Sequence, residues 1–509
     1  MAGNDLFVYR ASTLRIDSTS QVEVGGDYNQ DEFSTLEVGI SSNQVQPNLV
    51  VGGNAEFTTS ANVDDYSLLK VFDDGIAESN VVNIVEAGSI KIDGETASTA
   101  DIRANIQTNL LLDFTVTISN GVDKSYIVLD DFIKRNIGDA ADLEGQLLAI
   151  SEEIELLADG GDTNANAMIL VLQDLTTSEE YNAAFDNFYG EKQSSVPANN
   201  VINMGIQSVA QQLTQRSDNT RSRMGSAAPA GAEGPHEAGQ ELQGWIMGYG
   251  TKGSQDASGG FVGYDADFTG FVVGADLSVA ENILFGLAGG SGNGSLDKDN
   301  ASSTDTKTTF GAIYGSAGID DWFMDASLLF AGSSIDSRLG STFDTTADYD
   351  ANNIAVYFGG GKEIIGEYLI MTPQASLLGN FYEQDAYREK STTAVARDVD
   401  GFDAFYLQSS LGGSLAFYTA MGDIILKPEL RAHWLHEWNA SDEDLSYSLV
   451  GGADRYNMQL QAPEEDIIKI GIGSSAKIGD YLELRADLDT RFGGDYSDYT
   501  LLGSLRYQF

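Results

Sequence analysis

Hydrophobic and polar residues alternate with a period of two through the second half of the chain, most clearly in its last eleven residues, YTLLGSLRYQF. Tyr499, Leu501, Leu505 and Tyr507 fall on one side of the predicted strand, and the other side is polar except for Leu502. This pattern is typical of the closing strand of an outer-membrane β-barrel, in which lipid-facing and lumen-facing side chains alternate.

Twelve strands of this kind are predicted in the region 240–509. Alternate connections are very short, such as Ala280 to Asn282 and Gly479-Asp480, whereas the others, such as Glu389 to Asp400, are long and polar. Outer-membrane barrels have short periplasmic turns and long external loops. A soluble sandwich would show the same alternation, so the strands alone do not decide between the two. The predicted starts are near Gln243, Asp265, Ile283, Asp305, Trp322, Tyr349, Tyr368, Phe402, Ile424, Asp466, Tyr481 and Tyr496.

Three other regions precede the predicted barrel. Residues 1–138 consist of short β-rich segments separated by Gly, Asn, Asp and Ser, which predicts a β-solenoid or a sandwich. Residues 139–196 show the i, i+3, i+4 apolar spacing of helices and predict a helical connector. Residues 197–239 predict one further helix, from Asn199 to about Arg223, followed by a flexible linker rich in Gly, Ala and Pro.

Composition narrows the possible functions. The chain of 509 residues carries 77 acidic and 28 basic residues, and the resulting net charge of −49 disfavours nucleic acid as a partner. Cysteine is absent, which excludes disulfides and thiolate chemistry and suits passage through an oxidising periplasm. The sequence contains no run of eighteen apolar residues, so no membrane-spanning helix is predicted. The beginning, MAGNDLFVYR, has no signal-peptide pattern, so we expect a processed form or a fragment.

No catalytic constellation is found in the sequence. Its three histidines are His236, His433 and His436, so no serine-histidine-acid triad can form within the first 190 residues. His436 could serve a proton relay or a metal site, but an interface position among aromatic residues is the simpler interpretation. We therefore predict no enzyme activity, no cofactor and no metal. The predicted aromatic girdle consists of Trp245, Trp322, Trp434 and Trp438.

Three segments resemble the autotransporter family, the type V secretion proteins of Gram-negative outer membranes. They are NAAFDNFYGEKQSSV at Asn182 to Val196, Trp245 with the hairpin Gly270 to Gly290, and LKPELRAHWLHEW at Leu426 to Trp438 with the terminal RYQF. The resemblance implies a twelve-stranded antiparallel barrel in the outer membrane, a helix in its lumen, and a passenger exported to the cell surface. Residues 1–138 would then be the end of a passenger, solenoid-like or autochaperone-like.

The resemblance also implies roles for particular residues. The basic end of the lumenal helix would pair with lumen acids, so reversing its charge should raise channel conductance. Some family members cut themselves in this helix between paired asparagines, and Asn199-Asn200 is a possible pair, although Asn-Asn also occurs as a helix cap. The implied lumen contacts are Arg216, Arg221, Arg223, Glu429, Glu483 and Asp487, and the implied barrel assembly signal is Leu505, Tyr507 and Phe509.

The leading functional prediction is a translocator that anchors its own N-terminal passenger and helps to export it. A surface adhesin or structural coat, a barrel carrying an upstream enzymatic passenger, and a solute porin are the alternatives. Expected partners are outer-membrane lipid and lipopolysaccharide, the barrel assembly machinery and periplasmic chaperones, with a monomeric barrel and no nucleic acid. The sequence does not reveal what the passenger does.

Overall fold

The computed structural model describes two compact units, residues 1–185 and 186–509. The residues that the structure describes are 5–9, 12–59, 69–73, 80–107, 111–175, 177–192, 198–224, 241–280, 282–340, 342–366, 369–421, 424–479 and 481–508. Within these ranges, only the backbone is described for residues 107, 211–212, 214–224, 241 and 420.

The first unit begins with strands that pair in parallel with the strand three positions further along the chain. One sheet has the order β1-β4-β7-β10, a second β2-β5-β8-β12 and a third β3-β6-β9, and the hairpin β13-β14 adds to β9 in antiparallel fashion. The strands are β1 (Leu6–Val8), β2 (Thr13–Ile16), β3 (Val22–Val24), β4 (Tyr28–Gln30), β5 (Thr35–Ile40), β6 (Leu49–Val51), β7 (Asn54–Phe57), β8 (Leu69–Asp73), β9 (Val82–Ala87), β10 (Ser89–Ile92), β11 (Glu95–Thr96), β12 (Ile106–Gln107), β13 (Leu112–Asn120) and β14 (Ser125–Lys134).

A glycine corner stacks successive turns of this winding. The motifs Val24-Gly25-Gly26-Asp27 and Val51-Gly52-Gly53-Asn54 lie above one another, and the Gly53 N–H donates to the Gly26 carbonyl at 2.8 Å. The Asp27 carboxylate accepts the Asn54 N–H at 2.7 Å, and the Asn54 amide oxygen accepts the Ser89 hydroxyl at 2.7 Å. The side chain of each turn therefore satisfies a donor of the next, as buried or half-buried polar groups require.

The chain changes from strands to helices at Ile137, next to the predicted change at residue 139. At α5, Glu180 N–H donates to the Thr177 hydroxyl at 3.2 Å and Thr177 N–H donates to Glu180 at 3.1 Å, which is a capping box. The helices are α1 (Thr99–Arg103), α2 (Ile137–Ala141), α3 (Gly145–Asp159), α4 (Thr163–Leu172) and α5 (Ser178–Tyr189), whose last residues belong to the second unit.

The second unit is a closed antiparallel barrel of twelve strands, which confirms the predicted fold. Its first strand pairs with its last, from Gln243 opposite Gln508 to Gln255 opposite Tyr496. The order around the barrel is β15-β16-β17-β18-β19-β20-β22-β26-β28-β31-β32-β33. The elements are α6 (Ala198–Met224), β15 (Glu241–Gln255), β16 (Tyr264–Ala280), β17 (Ile283–Lys298), β18 (Ser303–Ile319), β19 (Trp322–Leu339), β20 (Thr345–Lys362), β21 (Ile364–Ile365), β22 (Ile370–Gln384), β23 (Tyr387–Arg388), β24 (Lys390–Ser391), β25 (Arg397–Val399), β26 (Phe402–Ala416), β27 (Thr419–Met421), β28 (Ile424–Glu437), β29 (Glu443–Leu449), β30 (Tyr456–Leu460), β31 (Asp466–Ile478), β32 (Leu482–Gly493) and β33 (Tyr496–Gln508).

The barrel is apolar outside and charged inside. On β31, Ile468, Ile470 and Ile472 are more than two-fifths exposed, whereas Lys469 between them is 8% exposed. A soluble sandwich would bury the isoleucines and expose the lysine, so the burial resolves the alternative that the sequence left open. None of the helices in the described part of the chain has the length and hydrophobicity of a membrane span.

Candidate functional site: the barrel lumen and its exit

Helix α6 lies in the lumen, because its side chains reach strands on opposite sides of the barrel. Near its N-terminus, the Asn199 amide donates to the Tyr406 hydroxyl on β26 at 2.6 Å, and the Asn200 amide donates to the Tyr264 hydroxyl on β16 at 3.0 Å. Tyr264 and Tyr406 both lie near the rim with the long loops. The helix therefore enters the lumen at that rim.

Polar contacts continue down the helix toward the rim with the short turns. Asn203 accepts the Asn380 amide of β22 at 2.6 Å, and the Ser208 hydroxyl lies 3.1 Å from that of Thr251 on β15. Gln207 accepts from Arg491 of β32. Since β15 starts at the rim with the short turns, the chain crosses the full height of the barrel between Ala198 and Glu241.

The helix approaches one wall very closely at Gly205. A Cβ at this position would lie 2.6 Å from the Phe268 ring of β16. Likewise, a Cβ on Gly294 of β17 would lie 2.3 Å from the Val201 side chain of the helix. Aliphatic residues of the helix are buried in the lumen, among them Ile202, Ile206 and Val209. The helix thus lies directly against the wall formed by β15 to β19.

We expect Gly205→Ala to destabilise the seated helix, although alanine normally stabilises a helix by about 1 kcal/mol relative to glycine. The added methyl group must displace the Phe268 ring, which is 1% exposed. Urea titration of the folded barrel, monitored by heat-modifiable migration, shows whether the substitution lowers or raises the free energy of unfolding. Gly503→Ala is the matched control, because a Cβ there meets nothing within 4 Å. A more stable Gly205→Ala variant would contradict the close contact.

The opposite wall, from β28 to β33, carries a network of paired charges. Arg431 lies 2.7 Å from Asp487 and 2.9 Å from Asp489, and Arg485 lies 2.6 Å from Asp487. Gly471 and Gly473 of the intervening strand leave the space that these side chains cross, because a Cβ at either position would lie 2.0 Å or less from an aspartate oxygen. The buried charged residues of this wall include Glu429, Arg431, Glu437, Lys469, Glu483, Arg485, Asp487, Asp489, Arg491, Asp498 and Arg506.

The three predicted lumen acids do face the lumen, but their described partners are arginines of the wall itself. Glu429 lies 3.4 Å from Arg485, Asp487 contacts Arg431 and Arg485, and Glu483 contacts Arg506. The side chains of Arg216, Arg221 and Arg223 lie outside the described residues, although their backbone is helical. Pairing between the helix arginines and these acids stays a prediction.

A polar cavity lies between the helix and part of the charged wall, beside the contact of Gln207 with Arg491. It has a volume of about 110 Å³ and is lined by Gln207 and Ala210 of the helix and by Arg431, His433 and Lys469 of the wall, among others. This volume has room for several water molecules next to polar partners. The helix therefore fills one side of the lumen and leaves space for water on the other.

The long loops build a second polar centre where the chain leaves the lumen. Strands β23, β25, β29 and β30 form a small antiparallel sheet, here called the rim sheet. Its centre is the ion pair Arg397–Glu389, in which N and O lie 2.6 Å apart and both side chains are at most 1% exposed. Burial by itself lowers the pKa of Arg397, but the Glu389 carboxylate more than offsets this and holds the pKa above its ordinary value.

Residues Asp186–Lys192, here called the exit segment, pack against the rim sheet and the neighbouring loops. The Arg397 guanidinium donates to the Phe188 carbonyl at 3.2 Å, and its carbon lies 5.4 Å from the centre of the Phe188 ring. The Tyr189 hydroxyl donates to the Val395 carbonyl at 2.7 Å. Burial raises the pKa of Tyr189 well above its ordinary value, so its hydroxyl remains a donor.

The predicted girdle needs one correction. Trp245 is 7% exposed and faces inward, where its indole N–H donates to Asp276 at 3.1 Å and to the Tyr314 hydroxyl at 2.9 Å. It is therefore not a lipid-facing residue. Trp322, Trp434 and Trp438 are between 45% and 61% exposed, and they lie on the outer face where a girdle requires them.

The remaining predicted residues are placed as follows. Asn199 and Asn200 form the hydrogen bonds with tyrosines described above, so self-cleavage between them stays a prediction. Leu505 and Tyr507 are exposed on the outer face of β33, and Phe509 lies outside the described residues. Their role as an assembly signal is likewise untested.

His436, with Glu465 and Asp466, offers ligand atoms within 4.8 Å of one another. However, Asp466 already accepts the Trp434 indole N–H at 2.7 Å. These three residues lie at the exposed start of β31 and the end of β28. We assign no metal site to them.

Sequence reasoning missed the Arg397–Glu389 pair and the polar stripe of α6. The stripe is recognisable in the sequence, because Asn199, Asn203 and Gln207 recur at intervals of four residues on a helix with an otherwise apolar face. The ion pair is not recognisable in the sequence, since its residues lie in a long loop without periodicity.

An apolar exterior, a charged lumen and a helix inside it define a membrane barrel whose lumen is partly filled by a segment of the same chain. Residues 244–489 match the family model described as the autotransporter β-domain. This part of the chain is therefore an autotransporter β-domain, and the barrel resides in the Gram-negative outer membrane.

Curated relatives of the chain include rickettsial outer membrane proteins. Outer membrane protein A of Rickettsia conorii is 22% identical over 321 residues, which cover 59% of this chain and 16% of the relative. Outer membrane protein B of Rickettsia prowazekii is 22% identical over 281 residues, covering 52% of this chain and 17% of the relative. The chain thus spans about a sixth of the length of these relatives.

Solved structures with a similar barrel include two autotransporter domains. The translocator domain of NalP from Neisseria meningitidis is 14% identical with a TM-score of 0.45, covering 60% of this chain and 98% of that one. The transport unit of AIDA-I from Escherichia coli is 15% identical with a TM-score of 0.41, covering 58% and 97%.

Proposed function

We propose that the barrel anchors the N-terminal part of the chain at the cell surface and forms the pathway by which that part crosses the outer membrane. The observation that carries this proposal is the path of α6. The helix begins at the rim with the long loops, and β15 begins at the rim with the short turns. Long loops face the exterior in outer-membrane barrels, so residues before Ala198 leave the lumen on the outside.

The N-terminal unit is proposed to be the end of a β-solenoid passenger. Its parallel sheets pair most strands with the third strand after them, and its glycine corner occurs on two successive turns. Such a winding buries apolar residues between successive turns and can be extended by further turns. A helix inside the lumen disfavours a solute porin, and no enzymatic role is proposed for these residues.

Protease treatment of intact cells tests the orientation. We expect cleavage to remove residues before about 190 and to leave the barrel as a protected fragment, because its strands are embedded in lipid and paired to their neighbours. Mass spectrometry of the fragments locates the boundary. A soluble periplasmic protein that stays uncut is the control for membrane integrity. Protection of residues 1–185 until the outer membrane is opened would contradict the proposal.

A further inference from the structure

The exit segment is held by the loops in the manner of a bound peptide. Three of its main-chain carbonyls accept hydrogen bonds from the rim sheet: Phe188 from the Arg397 guanidinium at 3.2 Å, Tyr189 from the Tyr447 hydroxyl at 3.4 Å, and Glu191 from the Gln459 N–H at 2.6 Å. Gln459 lies on the edge strand β30. Main-chain bonding at a sheet edge, with pockets for alternate side chains, is a recurring mode of peptide recognition.

Two aromatic anchors fill pockets between the loops. Phe188 is 1% exposed and meets the Phe343 ring edge-on at 5.3 Å, and Tyr189 is fully buried. Buried aromatic residues at the centre of a contact usually contribute most of its binding free energy. Further along, the Lys192 ammonium donates to the Gly259 carbonyl at 2.8 Å and lies 4.9 Å from the Phe261 ring.

The receptor side of this contact is organised by its own residues. Glu389 accepts from the Arg397 backbone N–H at 3.1 Å as well as from its guanidinium, and the Glu389 N–H donates to the Arg397 carbonyl at 2.9 Å. Glu389 therefore holds the guanidinium through contacts that do not involve the exit segment, and a receptor group held in this way loses less entropy on binding.

We propose that the rim sheet and its neighbouring loops form a peptide-binding site whose ligand is the exit segment of the same chain. This site holds the N-terminal part of the chain on the barrel non-covalently, in addition to the covalent connection through α6. A cut between Lys192 and Ala198 would then leave both parts associated. The inference concerns binding only, so it does not require that the barrel exports anything.

The test uses the full chain with a recognition site for a sequence-specific protease placed between Lys192 and Ala198. The purified protein is cut in detergent, completeness is checked on a denaturing gel, and gel filtration measures the time for which the two parts co-elute. With native loops we expect the parts to stay together. Immediate separation would overturn the proposal.

Substitutions at the site test whether it is what holds the two cut parts together. Arg397→Ala leaves Glu389 buried without its partner and should accelerate separation at least about a hundredfold. Arg388→Ala is the matched control: its ion pair with Asp398 lies on the same two strands, but the side chains are 65% and 37% exposed. That variant should separate no faster than the native chain.

A ligand-side variant covers the case in which Arg397→Ala does not fold. Phe188→Ala combined with Tyr189→Ala removes both anchors and leaves every residue of the receptor in place, so heat-modifiable migration of the barrel should be unchanged. Rapid separation of this variant supports the proposal. If it stays together after cutting as long as the native chain does, the exit segment is not the ligand and the proposal is wrong.

Discussion

Replacing residues 198–224 with a Gly-Ser linker of equal length should raise the single-channel conductance of the barrel at least about tenfold, because a twelve-stranded barrel is too wide to be filled by its own side chains. The helix occupies one side of the lumen, and the cavities described beside it are small, about 110 and 80 Å³. Planar-bilayer recording of the purified protein measures the change.

The control for this experiment is the same replacement in the connecting residues 225–239, which should leave the conductance low. Both variants carry a Gly-Ser linker inside the chain and keep the same barrel. Equal conductance of the native chain and the helix replacement would mean that α6 does not limit ion flow. In that case, the loops at the exit would have to form the barrier.

Arg431→Ala should lower the free energy of unfolding of the barrel by about 3 kcal/mol, the typical cost of breaking a buried ion pair. Arg431 is 5% exposed and lies within 3.5 Å of Glu429, Asp487 and Asp489. Without it, three acids that face one another across Gly471 and Gly473 lose their shared guanidinium and keep Arg485 and Lys469 as ion-pair partners. Urea unfolding in lipid vesicles measures the difference.

Arg338→Ala is the control for this variant. Arg338 pairs with Asp344 at 3.0 Å, but both side chains are more than three-fifths exposed, so water already solvates them. Its removal should leave the unfolding curve unchanged. An Arg431→Ala barrel as stable as the control would show that water in the lumen screens the network far more than its burial suggests.

The barrel could be predicted from the sequence because the membrane imposes a strict rule on every strand. A lipid-facing position must be apolar and the next position faces water or protein, so β33 can be recognised from its side chains alone. The same rule fails on β15, where Trp245, Met247 and Tyr249 face inward and Gly244, Gly248 and Gly250 face outward. Several lumen-facing side chains of this strand are apolar, so apolar and polar residues no longer alternate clearly along it.

The exit site could not be predicted because nothing local specifies it. Phe188 and Arg397 are 209 residues apart, and the loop that carries Glu389 has no hydrophobic period. Only the closure of the barrel brings the two together. The glycine corner of the first unit is an intermediate case, since its motif recurs at Asp27 and Asn54 but the intervals are set by loops of unequal length.

The charged wall of the lumen has a consequence for the passage of an acidic polypeptide. Its buried charged residues include six acids, namely Glu429, Glu437, Glu483, Asp487, Asp489 and Asp498, and five bases, namely Arg431, Lys469, Arg485, Arg491 and Arg506, and Lys427 lies close to Glu429. Although the whole chain has a net charge of −49, acids and bases are nearly equal in number on this wall. Because most of these charges have an oppositely charged neighbour, we expect a negatively charged segment that passes the wall to meet little net attraction and little net repulsion. We expect such a wall to let an acidic polypeptide pass without trapping it.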